Sequence, residues 1–294
     1  MKVIRKGLND RLFDVLNITI LSLILLAVLY PLVFVISASV SNPFLVIRGE
    51  VLLVPKEITF QAYLRVFRDS AVLNGFMNTL LYATTGTLIN LVLTTFGAYP
   101  LSRPLPGRKI IMLVILMTMF FNGGLIPTYM VIKSIGIINT YWAMVLPGAV
   151  TVFNLIVMRT FFENIPQELH EAALIDGSSQ MRTLVSVVLP LSLPIMAVMT
   201  LFYGVAHWNS FFNGLIYLSD QSKYPLQLIL RDILINSQMQ DMMNLADESA
   251  VQQQLMGESI KYALIVVTSL PVLLLYPLLQ RYFVQGVMIG AIKG

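Results

Sequence analysis

The chain has no cysteine, which excludes disulfides, thiol catalysis and cysteine-ligated metal. Histidine is almost as scarce. His170 and His207 are the only two, and their separation matches no familiar zinc spacing, so no metal site is expected. Charge is the third shortage. Only 12% of the 294 residues are charged, where soluble domains carry about a quarter. The net charge of +4 is modest, and no basic stripe interleaves with aromatics, so no nucleic-acid partner is expected. No glycine-rich loop leads into Lys-Ser/Thr after a strand, so the chain is expected to hold no ATP site of its own. No nucleophile is paired with a positioned base, which argues against an enzyme.

Apolar sequence is what the chain has in abundance. It is 57% hydrophobic with a mean hydropathy of +0.79, so lipid is the solvent for much of it. About 20 apolar residues cross a bilayer as helix. The apolar runs place six spans near 16–38, 77–100, 110–132, 139–158, 184–206 and 262–284. The first run is too long for the core of a signal peptide and is expected to be a retained helix. The fold class is therefore all-α, a polytopic membrane protein, with residues 1–15 before the first span and a tail at 285–294. The short loop at 101–109 carries three positive residues and that at 133–138 only one. Short-loop charge sets orientation, so both termini and the loop 159–183 are expected in the cytoplasm.

Inside that frame one stretch is polar, Asn164 to Pro190. It reads as helix, sharp turn, helix. Asn164 is expected to cap the first helix with Gln167 as its capping-box partner, and Pro166 suits the first turn. Gly177 stops the helix, because glycine turns left-handed without steric cost. Ser178 or Ser179 is expected to cap the second helix. Elsewhere, Thr59 is expected to cap a short helix with Phe60, Tyr63, Leu64 and Phe67 on one face. Two glycines and a proline loosen the third span at 120–127, and broken helices often mark substrate paths. The six spans hold no Asp, Glu or His. That weighs against an ion-gradient-driven secondary transporter, which needs ionisable groups at membrane depth.

Glu171-Ala172-Ala173, two residues, Asp176-Gly177, nine residues, Val187, one residue and Leu189-Pro190 together resemble the EAA loop of ABC importer permeases. The only departure is Val187, where that family has Ile. Trp208-Asn209-Ser210-Phe211-Phe212, Tyr224-Pro225-Leu226 and the ending Gly290-Ala291-Ile292-Lys293-Gly294 are similar to carbohydrate-uptake permeases of the maltose type. Within that group the chain resembles those for oligosaccharides such as alginate and pectin fragments, along essentially its whole length. The resemblance implies a bacterial cytoplasmic-membrane subunit that imports a sugar or oligosaccharide. It implies a heterodimer with a second homologous permease, two ABC ATPase subunits that hold ATP and Mg, and an extracytoplasmic solute-binding protein. A permease for a non-sugar solute is the variant reading. It implies a coupling helix at Glu171, Ala172, Ala173, Asp176 and Gly177, followed by Leu189 and Pro190. A tail contact to the ATPase would involve Gly290, Lys293 and Gly294. Sugars are held by aromatic faces and amides, so Asn122, Tyr129, Asn154, Trp208, Asn209 and Asn213 are candidates for the substrate path. Each has a plainer reading, as a helix-packing amide or an aromatic of the membrane interface.

Overall fold

The computed structural model describes residues 7–243 and 260–275, with 257, 277 and 280 in addition. The tail candidates Gly290, Lys293 and Gly294 lie outside the described residues, as does most of the sixth expected span beyond Leu275. No strand occurs among the described residues. The protein is all-helical, and its chain divides into two compact units. One is built on residues 1–69 and 232–268, the other on 70–231 and 269–294.

The first unit opens with α1 (Leu8–Ser39), whose start is held by Asp10 accepting from the Gly7 amide at 3.0 Å. Its apolar side chains point outward along nearly its whole length, and none of its span-length window is buried. That is the pattern of a helix whose environment is lipid or another chain. Short helices α2 (Pro43–Ile47) and α3 (Gln61–Val66) follow. α3 buries Ala62 and Val66, while Phe60, Leu64 and Phe67 stay exposed. Three of the four residues expected on one face thus lie on the outer side of α3, and the small residues pack inward.

In the second unit α4 (Ser70–Leu101) is a second helix long and apolar enough to span. α5 (Arg108–Phe120) and α6 (Leu125–Ser134) meet at 111°, so the run 110–132 is not one rod. The break is where the glycines placed it. Gly124 takes φ +79°, and Asn122 Oδ1 accepts its amide at 3.1 Å.

The run 139–158 is also divided. α7 (Trp142–Val145) ends before Pro147-Gly148, with Gly148 at φ +75°, and α8 (Val152–Glu163) starts afresh. The run 184–206 is bent as well. After α9 (Gln167–Ile175) and α10 (Gln180–Thr183) comes a π-helical turn at Leu184–Val188 and a short α11 (Leu189–Leu191). α12 (Leu193–Trp208) then leaves at 84° to that segment. Pro190 and Pro194 flank the bend and remove backbone donors there, which is the ordinary cause of a sharp kink. α13 (Phe211–Tyr217) and a 3-10 turn at Gln221–Lys223 follow, and α14 (Leu226–Met243) and α15 (Ile260–Leu275) each have residues in both units.

The main core of this unit joins α4, α8 and α12 through Tyr99, Met158, Phe162, Leu184, Met199 and Tyr203. α4 lies against α12 along a polar seam. Thr94 Oγ1 and the Tyr203 hydroxyl are 2.7 Å apart. His207 Nε2 and the Asn90 side chain are 3.1 Å apart. The amide is oriented with its oxygen toward the ring, because its nitrogen then also reaches the carbonyls of Gly86 at 2.8 Å and Ala149 at 3.3 Å. His207 therefore belongs to α12 rather than to a loop beyond a span ending at 206. It is a buried, hydrogen-bonded imidazole, and its helix continues two residues past the expected end.

Candidate functional site

The polar stretch folds as helix, turn and helix. Pro166, at ψ 134°, is the residue from which α9 starts, and no side chain caps it. Asn164 instead ends α8, its amide donating to the Thr160 carbonyl at 3.0 Å. The expected capping box does not form, because the proline takes the position that a cap would fill. The other end behaves as the sequence requires. Gly177 has φ +73°, its amide reaches the Leu174 carbonyl at 3.0 Å, and the Ser178 amide reaches Ala173 at 2.9 Å. This pair of bonds is a Schellman stop. Ser179 caps α10 by accepting from the Arg182 amide at 3.3 Å.

α9 presents nearly everything to its surroundings. Glu171, Ala172 and Asp176 are exposed, Ala173 is half-buried, and Ile175 is 86% exposed. Glu171 is steadied by Gln167, whose amide donates to Oε1 at 3.0 Å. Leu189 and Pro190 are on a separate element, at the bend below α12. The motif therefore covers two features, an exposed capped helix and the kink that comes after it.

His170 is the one buried residue of α9, at 6% exposure. Its Nδ1 accepts a hydrogen bond from Arg103, in the loop after α4. Arg103 also lies over the Tyr99 ring, 5.3 Å from its centroid, and the Tyr99 hydroxyl donates to Gln180 Oε1 at 3.2 Å. The same loop is tied to α8. Arg159 Nε reaches the Leu101 carbonyl at 3.2 Å, and Glu163 bridges Arg159 at 2.7 Å and Arg108 at 3.2 Å. Arg103, His170, Gln167 and Glu171 line a cavity of about 220 Å³. Sequence reasoning missed this pairing, since 67 positions separate the two residues and Arg103 serves there only as a loop charge.

Burial, together with the Arg103 charge, pushes the His170 imidazole down from 6.5 to about 4. The folded site thus favours the neutral ring, and the unfolded loop binds more protons between those values. The stability contributed by His170 is full above pH 6.5 and is lost as the pH falls toward about 4. We expect amide exchange in α9, corrected for its intrinsic pH dependence, to accelerate across that window. Exchange in a His170→Asn variant is expected to stay flat.

The six path candidates do not share one cavity among the described residues. Asn122 sits exposed in the α5–α6 break. Tyr129 stacks on Tyr217 with centroids 6.4 Å apart. Asn154 is buried in α8. Asn209 Oδ1 accepts from Gln227 at 3.3 Å, and Asn213 is half-buried on α13. Trp208 is buried edge-on to Phe76, at 5.9 Å. It lines an apolar cavity of about 550 Å³ between α4, α12 and α15.

Comparison with known proteins adds four findings. A family model described as binding-protein-dependent transport system inner membrane component matches residues 3–289. The polygalacturonan/rhamnogalacturonan transport system permease protein YtcP of Bacillus subtilis is 39% identical over 98% of this chain and all of its own length. Protein LplC of the same organism is 38% identical over 97% of this chain and 96% of its own. In a crystal structure of a bacterial ABC transporter involved in importing the acidic polysaccharide alginate, one chain superposes with a TM-score of 0.87 and is 32% identical. That match covers 96% of this chain and 100% of the other.

Proposed function

Because the chain belongs to the family of binding-protein-dependent transport system inner membrane components, we propose that it is one permease half of an ABC importer for an acidic, uronate-containing oligosaccharide. The observation that carries the coupling role is α9, a short helix stopped at both ends that exposes Glu171, Ala172 and Asp176. Such a helix is a lever for a partner whose domains close on ATP. The acidic-sugar reading is supported by the pectin- and alginate-related relatives.

In this reading six spans cross the cytoplasmic membrane, with both termini and the 159–183 loop inside. A second, homologous permease completes the pore as a heterodimer. Two ATPase subunits hold ATP and Mg, and a solute-binding protein delivers the sugar from outside. The Gly290–Gly294 tail reaches the ATPase. Trp208 and the amides of Asn122, Asn154, Asn209 and Asn213, with Tyr129, serve the path between the two permeases. The gradient-driven alternative is not favoured, since relatives along nearly the whole chain are transport-system permeases and His207 is engaged by Asn90.

The test is ATP hydrolysis by the complete complex in proteoliposomes. Binding protein plus oligogalacturonate or oligoalginate is expected to stimulate it, and neutral maltodextrin is not. Stimulation by the neutral sugar alone would overturn the acidic-substrate reading. A second expected result concerns docking. Glu171→Lys replaces a carboxylate able to make charge-assisted hydrogen bonds, worth roughly 1.5–3 kcal/mol each. The ATPase recovered with the permease is expected to fall about tenfold or more, as read by quantitative co-purification.

A further inference from the structure

We propose that the Arg103–His170 contact, seated on Tyr99, is the joint that delivers motion of α9 to the end of α4. The inference rests on the importer reading and assigns a positioning role to three side chains outside the coupling motif. α9 buries one side chain, His170, and the partner of that side chain lies two residues beyond the last residue of α4. The Arg103 backbone carbonyl is within 3.4 Å of Arg108, and Arg108 and Arg159 both meet Glu163 at the end of α8. The loop from Ser102 to Gly107 is thereby clamped to α8 and α4 by ionic and backbone bonds. α9 hangs from that clamp through one imidazole.

A rigid lever needs a stiff attachment, and the geometry supplies one. The guanidinium is fixed from one side by the Tyr99 ring and from another by the imidazole acceptor. Tyr99 reaches on to Gln180 at the start of α10, so the helices on both sides of the 176–179 turn are tied to the same place. The charged and titratable groups facing the His170 ring are Arg103 from the loop, Tyr99 from α4 and Glu171 from α9 itself.

The test uses the complete reconstituted complex and reads sugar imported per ATP hydrolysed. His170→Leu and Arg103→Ala remove the acceptor and the donor. Both are expected to assemble with the ATPase and hydrolyse ATP while the import ratio falls about tenfold, the scale of one lost charge-assisted bond. His170→Asn places an acceptor oxygen where Nδ1 lies and is expected to restore the ratio. In the wild type the ratio is expected to drop as the cytoplasmic-side pH approaches the protonation range of His170, and the Asn variant is expected to show no such acid limb. An unchanged ratio in His170→Leu, or an Asn variant as defective as the Leu one, would overturn the joint. Loss of ATPase from both disruptive variants would overturn it too, by assigning the pair to docking. Failure of the wild-type complex to import any acidic oligosaccharide would instead overturn the reading on which the joint rests.

Discussion

Gly177→Val is expected to cut transport by more than tenfold while the protein still reaches the membrane. The backbone at Gly177 sits at φ +73°, a region that costs an ordinary L-residue about 1–2 kcal/mol and a β-branched one more. Space is not the issue, because a Cβ there would meet nothing within 4 Å. The strain is therefore purely torsional. The chain relieves it by giving up the Ser178-to-Ala173 and Gly177-to-Leu174 bonds that stop α9. The helix then runs on or frays, and Glu171 and Asp176 lose their fixed relation to the bend at Leu189–Pro190. Asn tolerates the left-handed region better than other side-chain-bearing residues, so Gly177→Asn is expected to keep most of the activity. The paired variants, assayed for uptake in one reconstituted complex, separate backbone conformation from side-chain chemistry. Full uptake by the Val variant would show that the stop does not matter.

The second large effect is expected at Gly86, in the seam between α4 and α12. A Cβ at this position would fall 2.5–2.8 Å from three atoms of the His207 ring. The ring cannot swing away, because it is only 8% exposed and is bonded to Asn90. Gly86→Ala must part the helices or break that bond, and overpacking of this kind costs about 1–3 kcal/mol. The melting temperature of the detergent-solubilised protein is expected to fall by several degrees. Gly86→Ala combined with His207→Ala is expected to regain part of the loss, since the second change removes the atoms that the first one meets. A double-mutant cycle measures that recovery. Strict additivity of the two changes would show that the contact is not the source of the cost.

Local chemistry was readable from the chain, and long-range geometry was not. The α9 stop at Gly177, the Ser179 cap and the break at Asn122-Gly123-Gly124 each depend on residues within a few positions, and each forms where composition places it. Hydropathy reports that a run is apolar, not that it is straight. The runs 139–158 and 184–206 read as rods, yet each bends or divides. Pro147-Gly148 and the Pro190–Pro194 pair were visible signals for those changes. Asn164 shows a nearer failure, where two helix ends fall within three residues and one asparagine suits either. Arg103 with His170, and Asn90 with His207, involve partners 67 and 117 positions apart, beyond any periodicity.

The polar seam also bears on how the protein is made. α4 carries Thr79, Asn90 and Thr94 on its buried side, and their partners Leu226, His207 and Tyr203 come 147, 117 and 109 residues later. When α4 leaves the ribosome and meets the bilayer, none of those partners has been translated. Polar groups in hydrocarbon are costly until paired, so during synthesis α4 is a provisional resident of the membrane. α1, apolar on every face, is committed from the start. Nascent chains ending before about residue 200 should therefore hold α1 firmly while α4 remains exchangeable. Quality-control proteases would find their substrate in that interval.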